Sequence, residues 1–224
     1  MSDPSRDAQA IATFAQERGI ERLVHFTPLM NLCGIYNLYG LWPRKQIIEY
    51  AKDHESEGIL DYIAWNDGDR YDGRTDCINL SIQCINASLF HVFKRKVPSA
   101  APWCILEIDP VCLQHANVLF TIANAAATEV RRHGTGSGIE GLKKLFAPEV
   151  FDGKCSITRT DATPKNRPTS PQAEVLYPGK IGLDLIRGLV FESDDDASRA
   201  CGMLCLECPE IQLPQVKITP GDFN

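Results

Sequence analysis

Apolar and polar residues alternate along the chain with two periods, one typical of helices and one typical of short strands. Between residues 5 and 18 the apolar positions recur every three or four residues, which predicts a helix that ends at Gly19. A helix, alone or with a loop, is predicted for four later segments: residues 44–57, 87–93, 119–127 and 138–146.

Strands are predicted where short apolar or β-branched runs are bounded by turn residues. These runs are residues 23–26, 77–82, 103–108, 171–177, 188–191 and 216–218. Polar or glycine-rich stretches predict loops at residues 66–76, 133–138 and 151–170. The mixture, without an internal repeat, predicts an α+β fold in one domain over residues 1–224. Its core is expected at about residues 20–192, followed by a C-terminal extension, residues 193–224.

Capping preferences predict where the element after the first strand begins. Threonine is a frequent N-cap residue and proline suits the first helical turn. Since Thr27 and Pro28 follow the strand that carries His25, a second helix is predicted to begin at Thr27.

The amino-acid composition limits which classes of protein the chain can belong to. Hydrophobic residues make up 44% of the 224 residues, which is enough for a packed core. No apolar run approaches the roughly 20 residues of a membrane helix, and residues 1–9 lack the apolar segment of a signal peptide. We therefore expect a cytoplasmic protein without a membrane partner. Nine cysteines, an odd number without an export signal, indicate reduced thiols.

The net charge of −6 does not suggest a nucleic-acid partner, but the charges are unevenly distributed. Short basic clusters lie at residues 94–96, 131–132, 143–144 and 165–167. Acidic residues concentrate elsewhere, as at residues 194–196. A cleft with one positive wall is compatible with this pattern, and ordinary solvated surface charge explains any single cluster equally well.

Cys201, Cys205 and Cys208 form a C-x3-C-x2-C sequence that could hold an iron–sulfur cluster or zinc. The same three positions share one face of a helix, and no parallel βα barrel follows them. We therefore interpret them as buried helix cysteines and predict no metal. The glycine-rich residues 133–138 do not lead from a strand into a helix, so we interpret them as a loop and not as a dinucleotide fingerprint.

Three polar side chains are candidates for chemistry. Glu174 interrupts an apolar strand after a long polar loop, which suits a cleft carboxylate or a solvent-facing position. His25 lies on a strand and is either a functional or a hydrogen-bonded core histidine. Arg70 lies in a loop before the strand that carries Ser81. None of these residues identifies a function by itself.

The ordered set of motifs resembles the DarT family over roughly residues 20 to 190. Three blocks carry the resemblance: His25-Phe26-Thr27 with Asn31-Leu32 and Gly40-Leu41; Asn66-Asp67 and Arg70 with Ile78-Asn79-Leu80-Ser81; and Pro168-Thr169-Ser170-Pro171-Gln172-Ala173-Glu174. The N-terminal helix and the cysteine-rich C-terminal segment depart from the family pattern, so nothing is carried over to them.

The resemblance implies an ADP-ribosyltransferase fold, with a split two-sheet β core and surrounding helices, that binds NAD as a co-substrate in a bent conformation. It implies transfer of ADP-ribose to a base, guanine or thymine, of single-stranded DNA. It also implies a toxin of a toxin–antitoxin system, whose partner is a macrodomain antitoxin that removes the modification. The block Asn79-Leu80-Ser81 is more similar to the guanine-directed branch.

The resemblance also implies roles for single residues. Glu174 would stabilise the positive charge that develops at the ribose and accept a proton from the attacking base. Arg70 would pair with the pyrophosphate or hold the reacting geometry. The residues expected to contact NAD are His25, Thr27, Asn31 and Ser81. Those expected to contact DNA phosphates, while the base is unstacked, are Arg159, Lys165 and Arg167.

Two other functions stay open from the sequence. The same fold could modify RNA or protein, in which case only the acceptor loop would differ. A non-catalytic module that binds NAD or ADP-ribosylated nucleic acid is the second alternative. The presence of Glu174 together with His25 counts against that second alternative, because a binding module does not need the carboxylate.

Overall fold

The computed structural model describes residues 4–54, 60, 63, 72–96, 101–210 and 212–223. Its helices are α1 (Pro4–Arg18), α2 (Asn31–Asn37), α3 (Arg44–Asp53), α4 (Ala87–Lys96), α5 (Thr128–His133), α6 (Gly138–Lys144) and α7 (Asp194–Glu207). Within these ranges no helix combines the length and the apolarity that crossing a membrane requires.

The strands are short and are distributed over the whole chain. They are β1 (Leu23–Pro28), β2 (Gly40–Leu41), β3 (Cys77–Ile82), β4 (Trp103–Ile108), β5 (Leu119–Thr121), β6 (Thr135–Ser137), β7 (Glu149–Phe151), β8 (Ser156–Thr158), β9 (Glu174–Pro178), β10 (Ile181–Gly182), β11 (Ile186–Phe191) and β12 (Gln215–Ile218). Eight of them form one sheet in the order β12-β11-β4-β1-β3-β9-β5-β6, and β10–β2 and β7–β8 form separate pairs. The predicted α+β class is confirmed.

The large sheet forks between its two central strands. β1 pairs with β4 along its whole length, from Leu23↔Ile108 to Pro28↔Trp103. With β3 it pairs only at Leu23↔Ile82 and Val24↔Ser81, after which the two strands separate. The split β core that the resemblance implied is therefore confirmed. The fork creates a cleft that is bounded by strands on two sides.

The two faces of the sheet carry different clusters. The larger cluster, which includes Leu23 and Leu106, packs beneath α1, α2, α6 and α7. The smaller cluster lies beneath α4 and includes Val24 and Phe90. Since side chains alternate between faces along a strand, His25 and Thr27 lie on the face of Leu23. Ser81 lies on the face of Val24, because these two residues are paired.

Besides the loop predicted over residues 151–170, in which Ser156–Thr158 forms β8 of the β7–β8 hairpin, three predicted elements are wrong. Thr27 and Pro28 end β1 and do not begin a helix, because both remain paired with β4; α2 begins at Asn31. Leu119–Thr121, predicted within a helical segment, forms β5 between β9 and β6. Thr135–Ser137, predicted as a loop, forms the edge strand β6. In each case pairing with strands that are distant in the sequence overrides the local preference.

The segment after residue 193, which we predicted to be an extension, contributes to the same sheet. After α7 the chain adds β12, which pairs in parallel with β11 at Leu189↔Val216. Phe223 is 1% exposed, and its ring lies 5.8 Å from the ring of Phe90 on α4. The last residues therefore help to hold α4 against the sheet.

The C-terminal cysteines do not form one buried row. Cys201 is half-buried, Cys205 is exposed, and Cys208 is buried just beyond the end of α7. The prediction of buried helix cysteines is therefore wrong for Cys205, and Cys208 lies outside the helix. Its thiol donates a hydrogen bond to Asn37 Oδ1 at 3.2 Å. In the part of the chain that the structure describes, no three His, Cys, Asp or Glu side chains are grouped to hold a metal ion.

Candidate functional site

A cleft of about 680 Å³ lies where β1 and β3 separate. Residues of β1, β2, β3, α2 and the start of α3 form most of its wall. Contributions to the rest come from Glu174, from Asn86, from Leu89 and Phe93 of α4, and from Met203 and Glu207 of α7. Sites for small molecules have volumes of roughly 300–1,000 Å³. The fork in the sheet therefore holds a cavity large enough for a cofactor-sized ligand.

His25 spans the fork. Its Nδ1 forms a hydrogen bond of 2.9 Å with the backbone oxygen of Asn79 on β3. A carbonyl oxygen can only accept, so Nδ1 carries the proton, and Nε2 of the neutral ring is an acceptor. The imidazole is thus held in one tautomer at the point where the two strands part.

Thr27 and Asn31 are coupled on the same wall. Asn31 Nδ2 donates a 2.9 Å hydrogen bond to Thr27 Oγ1, and Thr27 is 3% exposed. This bond fixes the first residue of α2 to the end of β1. Together with His25, these side chains form a polar group on one face of the sheet, so the structure brings three of the predicted NAD-binding residues together.

Ser81 lines the same cleft from the opposite face of the sheet. Neighbouring β9 is paired with β3 at Leu80↔Val175, and this register places Glu174 on the face of Ser81. The cleft therefore joins two polar groups, His25 with Thr27 and Asn31 on one side and Ser81 with Glu174 on the other.

Glu174 is buried, at 4% exposure, and is the first residue of β9. We predicted a position in the middle of the strand, but residues 171–173 form a turn in which Ala173 N–H donates to Ser170 O. The carboxylate Oε2 accepts the backbone N–H of Ala125 at 2.8 Å. A buried carboxylate with a fixed donor has a defined orientation, as a catalytic group requires.

Two further hydrogen bonds stabilise the turn that supplies this donor. Asn124 Oδ1 accepts from Ala126 N at 2.8 Å, and Asn124 O accepts from Ala127 N at 3.0 Å. The N–H of Ala125 therefore has a fixed direction towards Glu174.

The predicted phosphate-binding residues do not line the cleft. The guanidinium of Arg159 donates to the backbone oxygens of Arg167 at 2.7 Å and Pro164 at 2.6 Å, which closes the loop on itself. Burial, and then the neighbouring Arg18, lower the pKa of Arg159. Lys165 Nζ lies 3.4 Å from Glu17 O, and Arg167 is exposed. Contact of these three side chains with DNA stays a prediction.

Arg70, predicted to be catalytic, lies outside the described residues, as does most of the predicted loop over residues 66–76. The same is true of residues 55–57, at the end of the helix predicted over residues 44–57. Its described part is α3, which ends at Asp53.

Among the residues of the cleft wall that sequence reasoning missed, Asn86 and Cys33 carry polar groups. Asn86 lines the cleft just before α4, and its Oδ1 accepts from Leu89 N at 3.1 Å. An asparagine directly before a helical pattern is an N-cap signal that was available in the sequence. Cys33 also lines the cleft; burial, and then nearby Cys208, raise the pKa of its thiol, which therefore stays protonated.

Gly40 is a point where the cleft wall does not tolerate a side chain. Its φ is +152°, and a Cβ there would lie 2.4 Å from the backbone oxygen of Ile181 on β10. We expect Gly40→Ala to break the β2–β10 pair and to weaken ligand binding in the cleft. We expect it to lower the free energy of unfolding by about 1–3 kcal/mol. Thermal unfolding and NAD titration would measure both effects.

Gly202→Ala is the matched control for this variant. Gly202 is exposed on α7, and a Cβ there would meet nothing within 4 Å. An alanine in an exposed helix is expected to be neutral or to stabilise by up to ~1 kcal/mol. Equal stability and equal NAD affinity of the two variants would contradict the role given to Gly40.

Comparison with known proteins identifies the family of the chain. A family model with the description "DarT: ssDNA thymidine ADP-ribosyltransferase" matches residues 24–223. No protein with a curated description matches the chain in sequence.

Solved structures share the fold at low sequence identity. DarT of Thermus sp. 2.9 in complex with carba-NAD+ is 16% identical with a TM-score of 0.61; the match covers 92% of this chain and 98% of that one. The same enzyme in complex with ADP-ribosylated ssDNA is 16% identical with a TM-score of 0.58, covering 92% and 97%. Thermosipho africanus DarTG in complex with ADP-ribose is 14% identical with a TM-score of 0.55, covering 91% of this chain and 51% of that one.

Proposed function

The chain belongs to the DarT family of NAD-dependent ADP-ribosyltransferases that act on single-stranded DNA, and from this premise we propose how its own residues perform the reaction. The observation that carries the proposal is the buried carboxylate of Glu174, which lines the same cleft as His25 and is oriented by the N–H of Ala125. A non-catalytic binding module would not need a buried, fixed carboxylate at this position.

NAD fits the cleft as a co-substrate that passes through the fork. One polar group, His25 with Thr27 and Asn31, would contact the hydroxyls of one ribose. The other, Ser81 with Glu174, would contact the ribose that carries nicotinamide. Because the two groups lie on opposite faces of the sheet, NAD must bend to reach both.

In the proposed reaction the bond between ribose C1′ and the nicotinamide nitrogen breaks, and nicotinamide leaves with the bonding electrons. The positive charge that develops on the ribose is stabilised by the carboxylate of Glu174. A base nitrogen attacks C1′ and transfers its proton to the same carboxylate. The products are ADP-ribosylated DNA and free nicotinamide.

Thymine is the base that we propose first, because the matching family model is described as a thymidine ADP-ribosyltransferase. Guanine is the second candidate, since the block Asn79-Leu80-Ser81 is more similar to the guanine-directed branch of the family. Both bases carry an N–H that can be removed on attack, so the cleft chemistry is the same for either.

A role as the cytoplasmic toxin of a toxin–antitoxin pair, with a macrodomain antitoxin as its partner, is part of the proposal. The likeness to one half of the longer DarTG chain of Thermosipho africanus supports it. Removal of the modification from DNA by a purified macrodomain would be the direct test.

The activity is tested by incubating the purified protein with labelled NAD and, separately, with single-stranded DNA, duplex DNA, RNA or protein. We expect label on single-stranded DNA, because a base outside a duplex is unstacked at little cost. Oligonucleotides that contain only one of the two candidate bases, thymine or guanine, then identify the acceptor. Label on RNA or protein would mean that the acceptor is a different molecule, while the proposed chemistry at the ribose stays the same. Intact NAD in every reaction would contradict the proposal and favour a binding module.

A further inference from the structure

The cleft contains a buried hydrogen-bond donor that nothing in the described protein satisfies. Asn86 is 3% exposed, and its Nδ2 has no hydrogen-bond partner among the residues that the structure describes. The orientation of its amide is fixed, because Oδ1 accepts the N–H of Leu89 at 3.1 Å and only an oxygen can do so. The Nδ2 atom is therefore the one left for another partner.

The surroundings of Asn86 are mostly apolar. It lines the cleft together with Val24, Leu89 and Phe93, where α4 covers the fork. Ser81, which is paired with Val24 of β1, also lines the cleft. We call the part of the cleft lined by Val24, Ser81, Asn86, Leu89 and Phe93 the slot; its lining is mostly apolar.

An unsatisfied donor in such a slot costs free energy, and native proteins keep few of them. One accepted reason for keeping such a group is that a ligand supplies the partner. The ligand must present an acceptor atom on an otherwise flat and apolar group, because the walls of the slot are apolar. An acceptor carbonyl on an aromatic ring has this character.

We propose that Asn86 recognises the nicotinamide leaving group of NAD, by donating from Nδ2 to its carboxamide oxygen. This inference rests on the proposed transferase function. Glu174 acts at the ribose carbon that carries nicotinamide, and Ser81 and Glu174 face the side of the sheet that α4 covers. The nicotinamide ring must therefore lie on the side of the sheet that α4 covers, next to the ribose to which it is bonded.

A second unsatisfied atom in the cleft is a hydrogen-bond acceptor. Asn79 Oδ1 is also buried without a hydrogen-bond partner among the described residues, and Asn79 lines the same cleft. A carboxamide presents one acceptor oxygen and two donor hydrogens, so it can satisfy a donor such as Asn86 Nδ2 and an acceptor such as Asn79 Oδ1. The pyridinium ring of NAD without its carboxamide could satisfy neither, because its ring nitrogen is bonded to the ribose.

Asn86→Asp is the variant that isolates the donor. Aspartate keeps the size of the side chain and the oxygen that accepts from Leu89, and it replaces the free N–H₂ with an oxygen that repels a carbonyl. The dissociation constants of NAD and of ADP-ribose, which lacks nicotinamide, would be measured by calorimetry for the wild type and the variant. We expect the affinity for NAD to fall by about tenfold or more and the affinity for ADP-ribose to stay unchanged. Inhibition by free nicotinamide should weaken in parallel.

Asn86→Ser serves as the uncharged second variant, because serine also caps helices but its hydroxyl is too short to replace Nδ2. It should show the same selective loss for NAD. Equal losses for NAD and ADP-ribose would show that Asn86 only supports the fold, and would overturn the inference. Unchanged NAD affinity with a raised KM for DNA would assign the donor to the acceptor base instead. A wild-type protein that binds no NAD would overturn the transferase function itself, which is a distinct result.

Discussion

Replacing Glu174 with glutamine is expected to lower the rate of ADP-ribose transfer by about a thousandfold while NAD binding is nearly retained. The glutamine oxygen can still accept the N–H of Ala125, so the side chain keeps its place beside the cleft. It loses the negative charge that opposes the developing cation, and it cannot accept the proton of the attacking base. Transfer rates at saturating NAD and DNA, together with NAD titration, measure the two effects separately.

Glu140→Gln is the matched control, since the side chain of Glu140 is 78% exposed and forms a surface ion pair with Lys143. It should transfer ADP-ribose at the rate of the wild type. If Glu174→Gln were as active as this control, the carboxylate would not take part in the chemistry, and a different residue of the cleft would have to be the base.

The second large effect is expected at Glu107, where alanine should lower the free energy of unfolding by about 3–5 kcal/mol. Glu107 is buried on β4, and its two oxygens accept from Arg22 at 2.5 Å and from Lys217 at 2.6 Å. Burial alone would lower the pKa of Arg22, but its hydrogen bonds with Asp222 and Glu107 prevail and raise it. Removing the carboxylate leaves two half-buried cations without their common partner. Chemical denaturation measures the loss.

Glu192→Gln provides the comparison for this variant. Glu192 pairs with Lys94 at 2.7 Å, but both side chains are more than a third exposed. Exposed pairs contribute about 0–1 kcal/mol, so this variant should be nearly as stable as the wild type. Similar losses for the two substitutions would mean that the ion cluster of Glu107 is no more important than a surface pair.

The sequence allowed six of the described strands, β1, β3, β4, β9, β11 and β12, to be predicted, because each is a short apolar run bounded by turn residues. The alternation in residues 77–82 corresponds to β3, and the run in residues 103–108, which is apolar except for Glu107, corresponds to β4. Glu174 was a candidate because it follows a long polar loop at an apolar segment, but the pattern left a solvent-facing position open, and the resemblance to the DarT family assigned it to the cleft.

Other features depended on contacts between distant segments. Thr27 has the chemistry of a helix cap, but its hydroxyl accepts from Asn31 while its backbone stays in the ladder with β4. The donor that orients Glu174 comes from Ala125, a residue type without any side-chain signal. Arg159 appeared suited to phosphate, yet its guanidinium binds the carbonyl oxygens of its own loop. Local sequence does not encode any of these partners.

The β7–β8 hairpin separates the chain into two pieces that each carry part of the site. His25 and Asn86 precede it and Glu174 follows it. The strand order interleaves the pieces, because β9, which begins with the carboxylate, lies between β3 and β5 of the first piece. A chain cut at Gly153 therefore yields two fragments that are inactive alone and complete one sheet when they meet. Fused to two proteins of interest, such fragments would write a covalent mark into DNA wherever those proteins associate.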